Sequence, residues 1–328
     1  MLSIMGNENI ILSNSQDATS DYLEERLKQA GISVLRLNTD RMFEETSWGC
    51  YNGIPLLYLS NGQVKNPFHF SHVIFRRPHP IQVASCGDIA QQNHMSEEWS
   101  ECLEGFLGLI PSRNWINHPS SNYIASHKLE QLYRASHEGL MIPDSVVTSK
   151  PEIAEAFFQK YQREGIIAKT LSGGWLEREK PWKDSMVHTV EVPLEHDEIF
   201  QSLPLCPVLF QKKIDKQIDV RIIVVDENIT AVGMKANDGK KQRLDIRRNL
   251  MNDVSYSRIK VPERICEVIL KLVKSYKLRF AALDFAVDSC GHWIFFEINP
   301  NGQWAWLDLD GVVDIANNFI EILYKESV

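Results

Sequence analysis

The sequence lacks three features that would place the protein in or beyond a membrane. No stretch approaches the roughly 20 mostly apolar residues that a transmembrane helix needs. The opening MLSIMGNENIILSN has neither the basic start nor the long apolar run of a signal peptide. The 6 cysteines are scattered without a C-x-x-C spacing, which argues against a disulfide framework or a zinc site. We therefore expect a cytoplasmic protein with reduced thiols and no membrane partner.

An excess of basic residues is also missing. Lys and Arg number 35 and Asp and Glu 43, which gives a net charge of −8 and argues against nucleic acid as the main partner. The sequence shows no internal repeat and no low-complexity segment. The 328 residues, 44% hydrophobic and 24% charged, suffice for two or three packed units of a globular protein.

Strand and helix signals divide the chain into three predicted units. Alternating strand and helix patterns in residues 1–121 predict an α/β unit, with a hairpin turn at Asn61-Gly62. Residues 122–205 begin with a helix pattern over 122–139 and continue with mixed strands and helices, and residues 206–328 are strand-rich with two long helices. The expected fold class is α/β plus α+β.

The stretch FFEINPNGQW, residues 295–304, changes abruptly from an apolar strand to a polar turn. Strand alternation places Glu297 and Asn299 on one face, together with Phe295, and Phe296 on the other. Upstream, FAALDFAVD carries Asp284, and the spacer SCGH predicts a hairpin that brings Asp284 beside Glu297. Three oxygen donors of this kind suit Mg²⁺ or Mn²⁺. Ordinary polar residues at a strand end remain an alternative interpretation.

Three cationic residues lie within otherwise apolar strands: Lys169 in IIAKTL, Arg221 in DVRIIVV and Lys235 in AVGMK. A strand rarely turns Lys or Arg inward unless the charge is paired. Taken singly, each of them can simply face solvent by alternation. Together with the oxygen donors they favour a bound nucleotide triphosphate, whose phosphates pair with such cations. The loop Ser172-Gly173-Gly174 can add backbone N–H groups to those phosphates.

The order of these features along residues 122–328 resembles the ATP-grasp superfamily, in which ATP lies between two α+β units. The resemblance implies ATP and Mg²⁺ as cofactors, with two ions, and Mn²⁺ as a substitute. It further implies a hinge at 211–214 that reads adenine through the backbone, although Lys212 and Lys213 replace the acidic residues common there. The implied nucleotide contacts are Lys128, Lys169, Ser172, Gly173, Gly174, Gln211, Lys213, Ile214, Asp219 (ribose), Arg221, Lys235 and Asn249, and the implied metal ligands are Asp284, Glu297 and Asn299.

Two further motifs narrow the resemblance. DIRRNL, residues 245–250, resembles a segment of ligases that add glutamate to a ribosomal protein. The ending NPNGQWAWL and the sequence FRRP, which contains Arg76 and Arg77, resemble the graspetide or microviridin-type peptide maturases. The graspetide resemblance implies that Lys169, Arg221 and Arg247 are catalytic, with Arg247 holding an oxyanion or the incoming carboxylate. A solvated linker charge is an equally good interpretation of Arg247.

The resemblance to graspetide ligases implies a peptide macrocyclase. Such an enzyme activates Asp or Glu side chains of a ribosomal precursor peptide as acyl phosphates and joins them to Ser or Thr hydroxyls or Lys amines. The precursor, leader plus core, is the implied partner, with residues 188–203 and their acidic run as candidate leader site, and a homodimer is compatible with the resemblance. Two alternatives stay open: a ligase that adds amino acids to a protein or peptide, and a nucleotide-binding regulator without catalysis. The filled metal-ligand positions argue against the regulator.

Overall fold

The computed structural model describes residues 8–83, 87–176, 185–193, 197–237, 244, 246 and 253–325. Its strands are β1 (Glu8–Ser13), β2 (Val34–Asn38), β3 (Thr46–Tyr51), β4 (Ile54–Leu59), β5 (Val64–Lys65), β6 (Phe70–Phe75), β7 (Trp115–Ile116), β8 (Ser145–Thr148), β9 (Ile166–Lys169), β10 (Trp175–Leu176), β11 (Ser185–Met186), β12 (Val190–Glu191), β13 (Val208–Lys212), β14 (Lys216–Val225), β15 (Asn228–Ala236), β16 (Val254–Arg258), β17 (Phe280–Asp288) and β18 (Trp293–Asn299). Its α-helices are α1 (Ala18–Gln29), α2 (Met42–Glu45), α3 (Ile89–Gly108), α4 (Pro119–Ala125), α5 (Lys128–His137), α6 (Pro151–Tyr161), α7 (Asp197–Ser202), α8 (Glu263–Ser275), α9 (Ala305–Leu309) and α10 (Ile315–Lys325).

The first unit contains a parallel sheet in the order β2-β1-β6-β7 and a small antiparallel sheet in the order β3-β4-β5. The alternating pattern of the first third predicts this α/β arrangement, and the structure confirms it. The predicted turn at Asn61-Gly62 joins β4 to β5, and Gly62 adopts the left-handed conformation (φ 83°) that such a turn requires.

The helix expected over residues 122–139 is divided into α4 and α5. The break has a local cause, because two polar side chains bind carbonyls at the end of α4. Ser126 Oγ donates to the Asn122 carbonyl at 2.7 Å, and His127 Nδ1 donates to the Tyr123 carbonyl at 2.7 Å. Lys128 consequently stands at the first position of a new helix instead of the middle of a long one.

An antiparallel sheet in the order β12-β9-β13-β8 joins three strands of the central unit to β13, which lies beyond residue 205, the predicted end of that unit. One face packs Ile166 and Phe210 against Phe158 of α6. Because side chains alternate along a strand, Lys169 and its cross-strand partner Leu209 emerge on the other face. This second face borders the candidate site.

The third unit is a fully antiparallel sheet in the order β16-β15-β14-β17-β18. One face is covered by α8 through Ile269, Leu272 and Val273. On the opposite face Ile223 belongs to the same hydrophobic cluster as Leu23 of α1. This cluster therefore spans the first and third units, whereas a second cluster of the first unit, which contains Leu57, stays within that unit.

No helix within the described ranges is long and apolar enough to cross a membrane. The cysteines at 50, 102, 206, 266 and 290 are free thiols, and Cys86 lies outside the described residues.

Candidate active site

Three charged residues stand side by side on adjacent strands of the C-terminal sheet. In the antiparallel register, Arg221 of β14 lies opposite Asp284 of β17, which in turn lies opposite Glu297 of β18. Residues paired in this way project from the same face of a sheet. The hairpin predicted from the SCGH spacer thus brings Asp284 beside Glu297.

A β-bulge at Phe296 changes the facing of the two adjacent phenylalanines. Pairing steps from Asp284–Glu297 to Phe285–Phe295, which leaves Phe296 as the extra residue. Phe295 is buried against Phe285 in the helix-covered core, with ring centroids 5.5 Å apart, whereas Phe296 lies under the Lys169 ammonium at 4.8 Å. The expectation that Phe295 shares the face of Glu297 is therefore wrong, because strict alternation does not hold across a bulge.

Arg221 is the best-anchored cation of this cluster. Its Nη1 donates to Asp284 Oδ1 at 2.7 Å and its Nη2 to the Gln303 carbonyl at 3.2 Å. Its buried Nε has no hydrogen-bonding partner within the described part of the chain. Gly302 is required beside it, because a Cβ there would lie 2.7 Å from Arg221 Nη2 and 2.4 Å from Ala282 Cβ. The guanidinium is thus held close to the carboxylates, and its Nε–H remains as a further donor.

Lys169 reaches from the central sheet over the C-terminal sheet. Burial lowers the pKa of its ammonium from 10.5 to about 8; the Glu297 carboxylate opposes this shift, and the positive charges of Lys128 and Lys216 add to it. Three ammonium groups near one another favour an anion of several charges in the space between them. The triphosphate of a nucleotide is such an anion.

Lys128 binds the loop that the sequence singled out for phosphate binding. Its Nζ donates to the carbonyls of Thr170 at 2.8 Å and Ser172 at 3.3 Å. Gly174 closes the loop at φ 73°, and a Cβ there would approach the Val187 carbonyl to 2.7 Å, so glycine is needed at this position. Ser172 and Gly173 are exposed at the loop tip.

The predicted hinge crosses from β13 into β14. Gln211 is buried and donates to Ser145 Oγ at 2.9 Å, while Lys213 forms an exposed ion pair with Glu191 at 2.7 Å. The backbone N–H groups of Lys212 and Lys213 bind carbonyls of the central unit. Within the described ranges the N–H of Ile214 has no such partner, so it is the group available to a bound base.

Sequence reasoning missed two residues of the site, Lys216 and Phe296. The Lys216 ammonium donates to Asp219 at 2.5 Å and to the Leu244 carbonyl at 2.8 Å, and it lies 6.0 Å from the Phe296 ring. Asp219, the implied ribose contact, is buried in this pair. The sequence did not indicate a site role for Lys216, because this residue lies in the polar run IDKQID, where a cation is expected to be solvated.

Among the described residues, Lys235 is not brought to the cluster, and other predicted residues lie outside the described ranges. Lys235 is exposed, and its register places it on the face of Val220, opposite to the face of Arg221. Its position in the strand was compatible with either face until the register was known. Arg247 and Asn249 lie outside the described residues. In the candidate leader segment Glu198 is exposed, and Glu195 also lies outside the described residues.

The donor set of Asp284, Glu297 and Asn299 fits a hard divalent cation. Two carboxylates and one amide supply only oxygen, and the Asp284 and Glu297 positions are cross-strand neighbours. Asn299 Oδ1 accepts the N–H of Asn301 at 2.9 Å, which orients the amide and leaves its second lone pair for a metal. These three residues can hold Mg²⁺ or Mn²⁺ beside the cationic cluster.

A second group of ligand-type side chains lies at the tip of the β17–β18 hairpin. Ligand atoms of Asp288, Cys290 and His292 fall within 4.8 Å of one another. Asp288 is already hydrogen-bonded to His292 Nδ1 at 3.0 Å and to two backbone N–H groups of the turn. These bonds account for the arrangement as a turn motif.

Clustered cations facing two carboxylates, between two antiparallel sheets, fit a nucleotide-dependent ligase with an ATP-grasp fold. The sequence profile of the RimK-like ATP-grasp domain matches residues 125–323. The chain belongs to this family, which confirms the resemblance and the fold class expected from the sequence.

Solved structures resemble the chain over nearly its whole length. The macrocyclase MdnC of Microcystis aeruginosa MRC, bound with the precursor peptide MdnA, is 25% identical, with a TM-score of 0.83 and coverage of 96% of this chain and 99% of MdnC. A RiPP-associated ATP-grasp ligase of Chryseobacterium gregarium, in complex with ADP and a leader and core peptide, is 26% identical, with a TM-score of 0.85 and coverage of 98% and 97%. D-alanine–D-alanine ligase of Bacillus anthracis, complexed with ATP, shares the fold at 12% identity and a TM-score of 0.57. No curated protein sequence matches the chain.

Proposed function

We propose that the protein is an ATP-dependent peptide macrocyclase. It activates Asp or Glu side chains of a ribosomal precursor peptide and joins them to Ser or Thr hydroxyls or Lys amines. The observation that carries the proposal is the extent of the similarity to peptide-bound ligases, which covers 96% to 98% of the chain. The family match alone begins at residue 125 and leaves the first unit unexplained.

The nucleotide is assigned to the cleft between the central and C-terminal sheets. The Ile214 N–H reads the base, and Asp219 contacts the ribose. Lys128, Lys169 and the loop at residues 172–174 hold the phosphates. When bound, Mg²⁺, as two ions held by Asp284, Glu297 and Asn299, supplies neutralisation of the charge on the phosphates.

The chain's own residues position and stabilise two successive displacements. In the first, a carboxylate oxygen of the peptide forms a bond to the γ-phosphorus of ATP, and ADP leaves. In the second, a hydroxyl or amine of the same peptide attacks the acyl carbon, loses its proton, and inorganic phosphate leaves. Lys169 and Arg221 stabilise the transferred group, since phosphoryl transfer depends mostly on positioning and electrostatics.

Mass spectrometry of the peptide tests the proposal. The peptide to test is one encoded by a short reading frame beside the gene and rich in Thr, Ser or Lys and in Asp or Glu. It is incubated with the protein, ATP and Mg²⁺. Each crosslink should remove one water from the peptide and release one ADP. ADP in place of ATP is the control. A peptide of unchanged mass, with the protein folded and ATP bound, contradicts the proposal.

A second candidate function is a ligase that adds amino acids to a peptide or protein. It is favoured by the RimK-like match over residues 125–323 and by the DIRRNL motif. The same spectra separate the two functions, because amino-acid addition makes the product heavier and crosslinking makes it lighter. The cytoplasmic location, the homodimer and the leader site at residues 188–203 remain predictions from the sequence.

A further inference from the structure

The loop that follows the candidate metal ligand Asn299 is held by side chains at every carbonyl of residues 300–303. Three of the four donors belong to the first unit of the chain. The hydrogen bonds are Asn117 Nδ2 to the Pro300 carbonyl (3.2 Å), Arg77 Nε to Asn301 (3.1 Å), Arg76 Nη1 to Gly302 (3.1 Å) and Arg221 Nη2 to Gln303 (3.2 Å).

Each of these bonds fixes a peptide plane, because a carbonyl and the next N–H rotate together. The Asn117 bond to the Pro300 carbonyl therefore orients the Asn301 N–H, which binds Asn299 Oδ1 at 2.9 Å. The Gln303 carbonyl in turn accepts from Arg221. The orientation of the loop sets both the metal-ligand amide and the catalytic guanidinium.

Arg76 is the central donor and is 2% exposed. Besides the Gly302 carbonyl it reaches Gln303 Oε1 at 3.2 Å, and its Nε lies 3.6 Å from Asp17 Oδ2. Gln303 Nε2 donates to Asp17 Oδ1 at 3.0 Å, which closes a ring of three side chains. Burial lowers the pKa of Arg76 to about 10, and the Asp17 charge opposes this shift.

Asp17 is arranged to serve as the counter-charge of Arg76. Its burial alone raises its pKa, but the Arg76 charge and hydrogen bonds from Ser20, Gln303 and Ser13 outweigh burial and lower the pKa to about 2. A buried ion pair contributes little net stability compared with apolar residues of similar volume. The forked N–H donors of the Arg76 guanidinium, by contrast, fix the direction of the main chain that they bind.

We propose that Arg76 is a positioning residue of the active site. From the first unit it fixes residues 302–303, and through them the neighbouring metal-ligand turn and Arg221. The inference rests on the metal site of the proposed function, but it concerns how that site is held and not which peptide is joined.

The test compares metal binding with nucleotide binding in Arg76→Lys. This variant keeps the charge beside Asp17 and loses the forked donors. Mn²⁺ binding to the ADP-loaded protein is measured by electron paramagnetic resonance, and ADP binding without divalent ions by calorimetry. We expect Mn²⁺ affinity to fall about tenfold, the lower range for residues that orient metal ligands, with metal-free ADP affinity unchanged. Leu57→Ala is the control, since Leu57 is fully buried in a cluster of the first unit that contains none of residues 300–303.

Each outcome decides the proposal. Equal Mn²⁺ affinity in the wild type and Arg76→Lys overturns it, as does a similar loss in Leu57→Ala, because the effect would then be general destabilisation. If Arg76→Lys does not fold, the double variant Arg76→Met with Asp17→Asn decides, since it removes both hydrogen bonds of Arg76 to residues 302 and 303 and leaves no unpaired buried charge. A twofold or larger loss of Mn²⁺ affinity in that variant supports the proposal, and none overturns it. A wild type that binds ADP but no Mn²⁺ overturns both the metal assignment and this inference.

Discussion

Nucleotide affinity should depend on pH through Lys169. The pKa of this amine is lowered to about 8 in the free protein, mainly by burial. Only its protonated form attracts the phosphates, so affinity is full well below pH 8 and falls as the pH rises through that value. Bound phosphates stabilise the ammonium and raise its pKa again, so binding takes up a proton in this range.

The size of the effect follows from the lowered pKa. If the bound phosphates return the amine to its ordinary pKa of 10.5, its protonated fraction controls the affinity of the free protein. The dissociation constant for ADP without divalent ions should then rise about 20-fold between pH 7.5 and pH 9.5 by linkage. The phosphates of ADP keep their charge over this interval, so the change belongs to the protein.

Calorimetric titration with ADP and a chelator measures the profile for the wild type and two variants. Lys169→Arg should bind with a nearly flat profile, because a guanidinium stays charged at these pH values. Lys235→Met should follow the wild type, because Lys235 is exposed on the other face of the sheet. A flat wild-type profile, or the same slope in Lys169→Arg, refutes the assignment of Lys169 as the titrating phosphate contact.

Three further outcomes are expected. Glu297→Gln should lower turnover at least 100-fold while changing ADP affinity only a few-fold, because a metal ligand acts mostly on the transition state. Equal losses of turnover, from steady-state kinetics, and of ADP affinity, from calorimetry, would contradict this. Arg221→Ala should reduce peptide crosslinking by about 10²–10³ without unfolding the protein, as seen on loss of other charge-stabilising donors, and near wild-type product formation with a normal circular dichroism spectrum would remove it from the mechanism. Reversing the charge of Glu195, Asp197 and Glu198 in the candidate leader segment should weaken precursor binding at low salt and leave ATP binding unchanged. An unchanged precursor affinity by calorimetry would exclude that segment.

The Asp284–Glu297 pairing was predictable because its determinants are local. The two apolar runs are separated only by the short spacer SCGH, and Gly291 supplies the left-handed turn (φ 82°) between them. The bulge at Phe296 could not be predicted, since two adjacent phenylalanines fit either face of a strand. The facing of Lys235 likewise depends on a register that only pairing with β14 establishes.

The contacts of Arg76 were beyond sequence reasoning for a different reason. Arg76 and Gly302 are 226 positions apart, and FRRP by itself resembles an ordinary strand end. The break between α4 and α5 depends on whether Ser126 and His127 turn their side chains back onto the helix, which competes with continued helix by a small free energy.

The hydrogen bonds from the first unit to residues 300–303 restrict how parts of related ligases can be combined in one protein. Consider a chimera that takes its first unit from one enzyme and its catalytic sheets from another. Even if both parts fold, the side-chain donors of the first unit would not match the carbonyls of the loop that they must bind. Grafting Asp17, Arg76, Arg77 and Asn117 together with the loop should restore such a hybrid where exchange of the leader-recognition surface alone fails. Among related enzymes that act on different peptides, the residues at these positions should change together or not at all. The outer surface of the first unit, by contrast, can vary in sequence.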